Sequence, residues 1–219
     1  SHDYLCFFTN RGRLFRLKCY EIPESSRTGR GTNIVNLLPL EQEEKVSAVL
    51  KVSDFADDRF LVMVTKKGII KRTELSAYRN VRKSGLIAIH LDEEDELAWV
   101  RETSGANELL IATRNGVKSI QLEDGDEVVG MARVKEGATL MTITENGAGR
   151  RTSFDQYRLQ SRGGKGIRNY KVNEEKGLVA AVRAVTPEDD VIMITDDGII
   201  IRIHSDDVTL QSRYGSGVR

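Results

Sequence analysis

Four short segments of the chain set arginine or lysine beside glycine. They are Ser25-Ser26-Arg27-Thr28-Gly29-Arg30-Gly31, Arg79-Asn80-Val81-Arg82-Lys83-Ser84-Gly85, Gln160-Ser161-Arg162-Gly163-Gly164-Lys165-Gly166 and Gln211-Ser212-Arg213-Tyr214-Gly215-Ser216-Gly217. These residue types take up anionic oxygen. A guanidinium offers a planar fork of donors, and glycine lets the backbone approach a phosphate and donate its own N–H. On that chemistry we read Arg27, Arg30, Arg79, Arg82, Lys83, Arg158, Arg162, Lys165 and Arg213 as the first set of phosphate contacts. Arg11, Arg13, Lys66, Lys67, Lys71, Arg72, Arg114, Arg150, Arg151 and Arg202, on or beside turns elsewhere, form a second set. One such loop taken alone reads as a solvated charged face. Four in register argue for a shared ligand.

Other chemistry finds little support. Gly163-Gly164-Lys165-Gly166 superficially resembles a nucleotide-binding loop, but the lysine is followed by glycine and a strand-like stretch instead of Ser/Thr opening a helix. His2, His90 and His204 are scattered, with no cysteine or carboxylate at ligand spacing, so no metal site is expected. Asp92, Glu93, Glu94 and Asp95 read as a solvated turn, not a cation site. Tyr214 reads as a loop residue, and Tyr78 and Tyr157, each ten residues after a turn glycine, as packing positions. No convergent catalytic set emerges, so no catalytic residue is named.

The elements that must carry these loops repeat along the chain. An apolar run followed by Thr-x-x-Gly occurs five times, ending at Gly12, Gly68, Gly116, Gly147 and Gly198. Such runs with a glycine at the turn read as β-hairpins, and their near-continuous apolar character predicts strands covered on both faces. In four copies the basic loop ends 17 to 19 residues after the hairpin glycine. An acidic turn then precedes another apolar strand: Glu41–Glu44 before Val46, Asp92–Glu96 before Leu97, Glu123–Glu127 before Val128, and Glu174-Glu175 before Leu178. These acidic turns are expected on another edge from the basic loops. The third copy lacks its basic loop. We read the shortfall, near Ser119–Ile120, as a mobile loop that the numbering closes over, with a true deletion as the alternative. No sustained helical period is present, although stretches such as Thr73–Tyr78 suit a single helical turn. The fold class is therefore all-β, and repeats of roughly 50 residues match propeller blades.

Composition sets bounds on the rest. The 219 residues carry 33 basic and 33 acidic side chains, a net charge of zero, so any anion-binding surface must come from segregating the two signs. At 39% hydrophobic the chain is globular. It holds no apolar run of the roughly 20 residues that a membrane helix needs. Cys6 and Cys19, set among strand residues, read as reduced thiols, which points to the cytoplasm. The chain opens abruptly in a strand without a leader and closes just after a basic loop. We read residues 1–219 as a single domain cut at both ends.

The repeated hairpins, the stretch Ile34-Val35-Asn36-Leu37-Leu38-Pro39-Leu40-Glu41 and the loop Gln160–Gly166 together resemble the C-terminal domain of the bacterial DNA gyrase A subunit, of the type IIA topoisomerase family, over essentially the whole chain. The resemblance implies a β-pinwheel, a propeller-like fold of about six blades of four strands whose neighbours exchange strands. Five hairpin units are visible here. It implies wrapping of double-stranded DNA, without sequence preference, around a basic rim, which lets the ATP-dependent holoenzyme introduce negative supercoils. The domain itself would be non-catalytic, hold no cofactor and be a monomer in isolation. ATP and Mg would be used by an A2B2 holoenzyme, formed on the nucleoid with the B subunit and the remainder of the longer chain. The family's signature loop, a heptad like Gln-Arg-Arg-Gly-Gly-Lys-Gly, belongs to the first blade, whereas the copy at Gln160–Gly166 lies in the fourth hairpin unit. The same family's topoisomerase IV A subunit, which selects substrates for decatenation, is the alternative.

A propeller that scaffolds protein partners is the competing class. A protein-binding rim would display aromatic and apolar anchors. The basic loops offer only Tyr214.

Overall fold

The computed structural model describes residues 2–25, 28–29, 31–115, 122, 125–160 and 166–218. The chain divides into two compact units, Ser1–Ala106 and Asn107–Arg219. In both, the regular structure is strand joined by short 3-10 turns.

The first unit holds two repeats. Strands β1 (Tyr4–Thr9) and β2 (Arg13–Lys18) form the first hairpin, and β3 (Val46–Val52) pairs antiparallel with the far edge of β1. Strands β4 (Phe60–Thr65) and β5 (Ile70–Glu74) form the second hairpin. The second basic loop leads into β6 (Leu86–Ile87), and β7 (Leu97–Thr103) pairs with β4. The short β6 lies not on its own hairpin but on β2 of the preceding repeat, with Arg13 opposite Ile87 and Leu14 opposite Leu86. The first sheet therefore runs β3-β1-β2-β6 and the second β5-β4-β7. This is the strand exchange between neighbours that the pinwheel resemblance implies.

The second unit follows the same plan. Strand β8 (Leu109–Thr113) pairs with β9 (Val128–Arg133). Strand β10 (Thr139–Thr144) is flanked by β11 (Gly149–Ser153) and β12 (Val179–Val185). Strand β13 (Asp190–Ile194) pairs with β14 (Ile200–His204). Val218, beyond the last basic loop, bridges Gly149 of β11, repeating the placement of β6 on β2. The return strand of the third hairpin and the missing loop expected near Ser119–Ile120 lie outside the described residues.

The Thr-x-x-Gly turn is one device used repeatedly. Gly12, Gly68, Gly147 and Gly198 all have φ between +75° and +90°, where a Cβ is disfavoured. Each donates its N–H to the carbonyl of the turn threonine, at 2.9 to 3.1 Å. At that threonine, in β1, β4, β8 and β10, the pairing with β3, β7, β9 and β12 slips register. A bulge of this kind bends the strand and adds twist. The 3-10 turns Cys19–Glu21, Leu75–Tyr78, Phe154–Gln156 and Ser205–Asp207 occupy the place where a single helical turn is expected.

The cores explain the apolar runs. In the first unit Phe8, Leu14, Leu61, Met63, Leu75, Tyr78, Leu97 and Val100 pack together, while Phe7, Phe15 and Leu38 form a second layer across β1. Both faces of β1 are thus covered, as expected. Each such side chain contributes roughly 1.5–3 kcal/mol on burial. Leu110, Leu140, Tyr170, Val179 and Val182 centre the second unit. The hairpin β13–β14 departs from the expectation. Ile192 and Ile194 are 63% and 67% exposed, and no strand covers the other edge of β13 among the described residues.

Candidate nucleic-acid interface

The structure sorts the basic residues by what neutralises them. At the hairpin turns the acidic turn of the same repeat folds back against the cations. Arg11 pairs with Glu41 at 2.8 Å, and Arg13 with Glu41 and Glu44 at 3.0 and 2.8 Å. Lys66 pairs with Glu96 at 2.7 Å, and Lys67 Nζ donates to the Glu93 carbonyl at 2.8 Å. Arg114 is clamped between Glu127 at 3.0 Å and Glu145, and these carboxylates hold its pKa above the ordinary guanidinium value, Glu145 most strongly. Arg202 pairs with Asp190.

The acidic turns have a structural part as well. The Glu44 carboxylate, fully buried, accepts from Thr9 Oγ1 at 2.7 Å, and Asp95 and Asp126 accept backbone N–H groups of the hairpin turns at Lys67 and Asn115. The acidic turns, expected on another edge from the basic loops, thus lie against the hairpin turns, where an acidic side chain satisfies turn donors and cancels nearby charge.

Several cations of the second set hold the next repeat in place, and for the two that are buried, Arg150 and Arg151, the assignment to phosphate contact is corrected. Arg150 is fully buried and Arg151 is 7% exposed. Arg150 Nη2 donates to the carbonyls of Asn169 and of Arg213, the latter at 2.7 Å, and its Nη1 to that of Gly215. Its guanidinium lies 4.6 Å from the Tyr170 ring centroid, and burial lowers its pKa. Arg151 Nε donates to the Val208 carbonyl at 2.7 Å, and Arg151 Nη2 pairs with Asp206 at 2.6 Å. A side chain without surface cannot reach a phosphate from outside. Arg13 Nη2 likewise reaches the Ser84 carbonyl at 2.9 Å, and Lys71 Nζ the Ala88 carbonyl at 2.7 Å. Arg72 lies over the Phe60 ring, 4.6 Å from its centroid. Apart from this ring contact, these interactions tie a hairpin to a basic loop or to the segment just before or just beyond one.

The loop cations present a different picture. Arg82 and Lys83 are exposed and have no ion pair among the described residues. Arg79 reaches the Phe55 carbonyl at 2.9 Å and sits 3.8 Å from the exposed Asp57. Arg158 is exposed and lines an open cavity of about 430 Å3 together with Gln156, Gly166, Ile167, Arg168 and Arg213. Sequence reasoning missed Arg168. Its place two residues beyond the loop glycine, on the flank of a cationic segment, was the available signal. Arg27, Arg30, Arg162 and Lys165 lie outside the described residues, as does most of Gly163–Gly166. Among the described residues no group of His, Cys, Asp and Glu stands together to hold a metal. No helix among them is long and apolar enough to cross a membrane.

Antiparallel repeats that exchange strands with their neighbours, with most hairpin charges cancelled and several loop charges left open, define a propeller-type repeat protein with cationic loops. The family model described as DNA gyrase C-terminal domain, beta-propeller, matches residues 3–53, 59–104, 105–135, 138–186 and 189–219. The chain belongs to that family. The DNA gyrase A subunit of Staphylococcus aureus is 40% identical over 241 aligned residues, which take in the whole chain and 27% of the relative. The chain thus spans about a quarter of the length of the curated relatives it matches. Among solved structures, the C-terminal domain of DNA topoisomerase IV superposes with a TM-score of 0.88 at 23% identity, covering 99% of this chain and 74% of that one. The DNA gyrase A C-terminal domain gives 0.81 at 24% identity, covering 100% and 78%. At these identities the superpositions establish the fold.

Proposed function

We propose that the chain binds duplex DNA through its backbone phosphates, without reading sequence, and curves it along the cationic loops as the wrapping domain of a gyrase A subunit. The observation that carries this reading is the difference between the two classes of cation. Most of those at the hairpins are cancelled by carboxylates or spent on carbonyls, whereas Arg82, Lys83 and Arg158 are exposed and unpaired among the described residues. Lys and Arg contacts to phosphates release counterions and carry non-specific binding. Bending a site of 20–30 base pairs costs on the order of 1–6 kcal/mol, which several such contacts offset.

In this reading the domain has no catalytic group or cofactor of its own. ATP and Mg are used elsewhere in an A2B2 holoenzyme of the bacterial cytoplasm, which introduces negative supercoils. The 40% identity to a gyrase A subunit favours gyrase over topoisomerase IV. The test is a titration of linear duplex at low and high salt. Binding at low salt that falls steeply as salt rises is expected. Failure to bind at low salt overturns the reading.

A further inference from the structure

The cavity lined by Gln156, Arg158, Gly166, Ile167, Arg168 and Arg213 is built by two successive repeats. Of the described residues that line it, three are arginines and none is acidic. Arg158 and Arg168 are exposed and free of ion pairs among the described residues. Arg213 is set in place without a ligand. Its N–H donates to Gln156 Oε1 at 2.7 Å, its Nη1 to the Arg168 carbonyl at 3.2 Å and its Nη2 to the Tyr214 hydroxyl at 2.7 Å.

Behind Arg213 lies Arg150, buried and held by the carbonyls of Asn169, Arg213 and Gly215, with no carboxylate paired to it among the described residues. Carbonyl dipoles solvate a guanidinium but leave its charge uncancelled. A buried cation without an anion is destabilising, and low-dielectric walls focus its field toward the nearest cleft. Arg150 donates to the backbone of two cavity-lining neighbours' loops, at Asn169 and Arg213, so an anion in the cavity would offset that cost.

We propose that this cavity is a composite phosphate seat, in which Arg158 and Arg168 of the fourth repeat and Arg213 of the fifth take the oxyanions of a duplex backbone. The seat deepens the DNA-binding reading and rests on it. The volume is many times the ~30 Å3 that a water molecule occupies, which leaves room for a phosphate with its neighbouring sugar. Its two sides come from different repeats, which the Val218–Gly149 bridge and the bonds joining Arg150 and Gln156 to Arg213 hold together.

The same oxyanion chemistry is offered by free polyphosphate, so the experiment has two arms. Anisotropy of a labelled duplex, followed from low to high salt, compares the protein with its Arg158→Gln/Arg168→Gln double variant, and tripolyphosphate serves as probe in the second arm. Both side chains are exposed, so the variant keeps its fold, which circular dichroism checks. The expected result is weaker duplex binding and a salt slope shallower by about 1.8, two contacts at roughly 0.9 each. Unchanged affinity and slope in a double variant of a protein that does bind duplex overturn the seat and leave the wrapping reading standing. Tripolyphosphate binding that needs Arg158 and Arg168, in a protein that ignores duplex at low salt, overturns the duplex as its ligand and the wrapping reading with it.

Discussion

Arg150 Nη2 donates to the backbone carbonyl of Arg213 at 2.7 Å, joining residues 63 apart in sequence. One buried side chain thereby fixes the course of the basic loop that the next repeat lays across this one. Arg150→Met keeps the apolar stem but leaves the carbonyls of Asn169, Arg213 and Gly215 without this donor. Unsatisfied buried groups cost about 1–3 kcal/mol each, and with partial rehydration of the exposed ones a total loss of about 2–4 kcal/mol is expected. The urea midpoint measures it, and Arg150→Lys, which reaches fewer carbonyls, falls between. A wild-type midpoint for Arg150→Met would show that the carbonyl cluster contributes nothing.

Two turn glycines separate conformational strain from crowding. Gly12 and Gly147 have φ of 75° and 77°. A Cβ at Gly147 meets nothing within 4 Å, whereas at Gly12 it falls 2.4 Å from the Ile89 carbonyl oxygen. Gly147→Ala is expected to cost about 1–2 kcal/mol for the left-handed backbone alone. Gly12→Ala adds the displacement of a backbone segment, a further ~1–3 kcal/mol by analogy with overpacking. Thermal or urea unfolding of the pair checks the order, and equal losses would mean that the post-loop segment at Ile89 yields freely.

The two classes of cation should differ in their effect on DNA. Arg82→Gln/Lys83→Gln removes two open charges and should lower the salt slope of duplex binding by about 1.8. Arg11→Gln/Lys66→Gln removes two charges already cancelled by Glu41 and Glu96. The slope should then change far less, since the freed carboxylates rather than a phosphate register the loss. Anisotropy titrations at several salt concentrations compare the two, and equal shifts would erase the distinction on which the wrapping reading stands.

Much of the fold is legible in the sequence because the turn chemistry is local. Thr-x-x-Gly dictates a left-handed residue and a threonine carbonyl to close on, and the strand after each acidic turn begins within a residue of its expected place, as at Val46, Leu97 and Val128. The division of labour among the cations is not local. Arg150 and Arg82 have the same chemistry and both stand close to glycine, and only the partner brought in from another repeat decides that one is buried under carbonyls and the other left in water. The buried Glu44 is hidden for the same reason. Its carboxylate is matched to Thr9, 35 residues earlier. Ile192 and Ile194 fail in the opposite sense: their sequence predicts burial, but burial needs a covering strand on β13.

The two cysteines differ in access. Cys6 is 2% exposed, and burial pushes its thiol up to about 12, so the reactive thiolate is scarce at neutral pH. Cys19 is half-buried, and the two are not joined. A thiol reagent at neutral pH is expected to modify Cys19 first and Cys6 only as fast as the strand β1 opens. Mass spectrometry of a labelling time course reads the order directly, and simultaneous labelling would mean that the first hairpin opens readily.

Acid should weaken the fold through two carboxyl groups of different kind. Hydrogen bonding to Lys66 holds the Glu96 carboxyl below its ordinary value of 4.5, and the Thr186 backbone and hydroxyl hold that of Asp189 below 3.8. A group depressed in the folded chain binds its proton more readily once unfolded, so both contribute fully at neutral pH. That contribution is lost as pH falls below about 4.5 for Glu96 and below about 3.8 for Asp189. The Glu96 pair is partly exposed, and a surface pair is worth about 0–1 kcal/mol and is screened by salt. Asp189 acts through short hydrogen bonds, 2.7 Å to the Thr186 N–H and 3.0 Å to its hydroxyl, which salt screens less. Urea midpoints measured down the acid limb should therefore show a shallower fall for both Glu96→Gln and Asp189→Asn. Added salt should reduce the Glu96 effect while sparing that of Asp189, and a fall that neither substitution alters would place the acid sensitivity in other carboxylates.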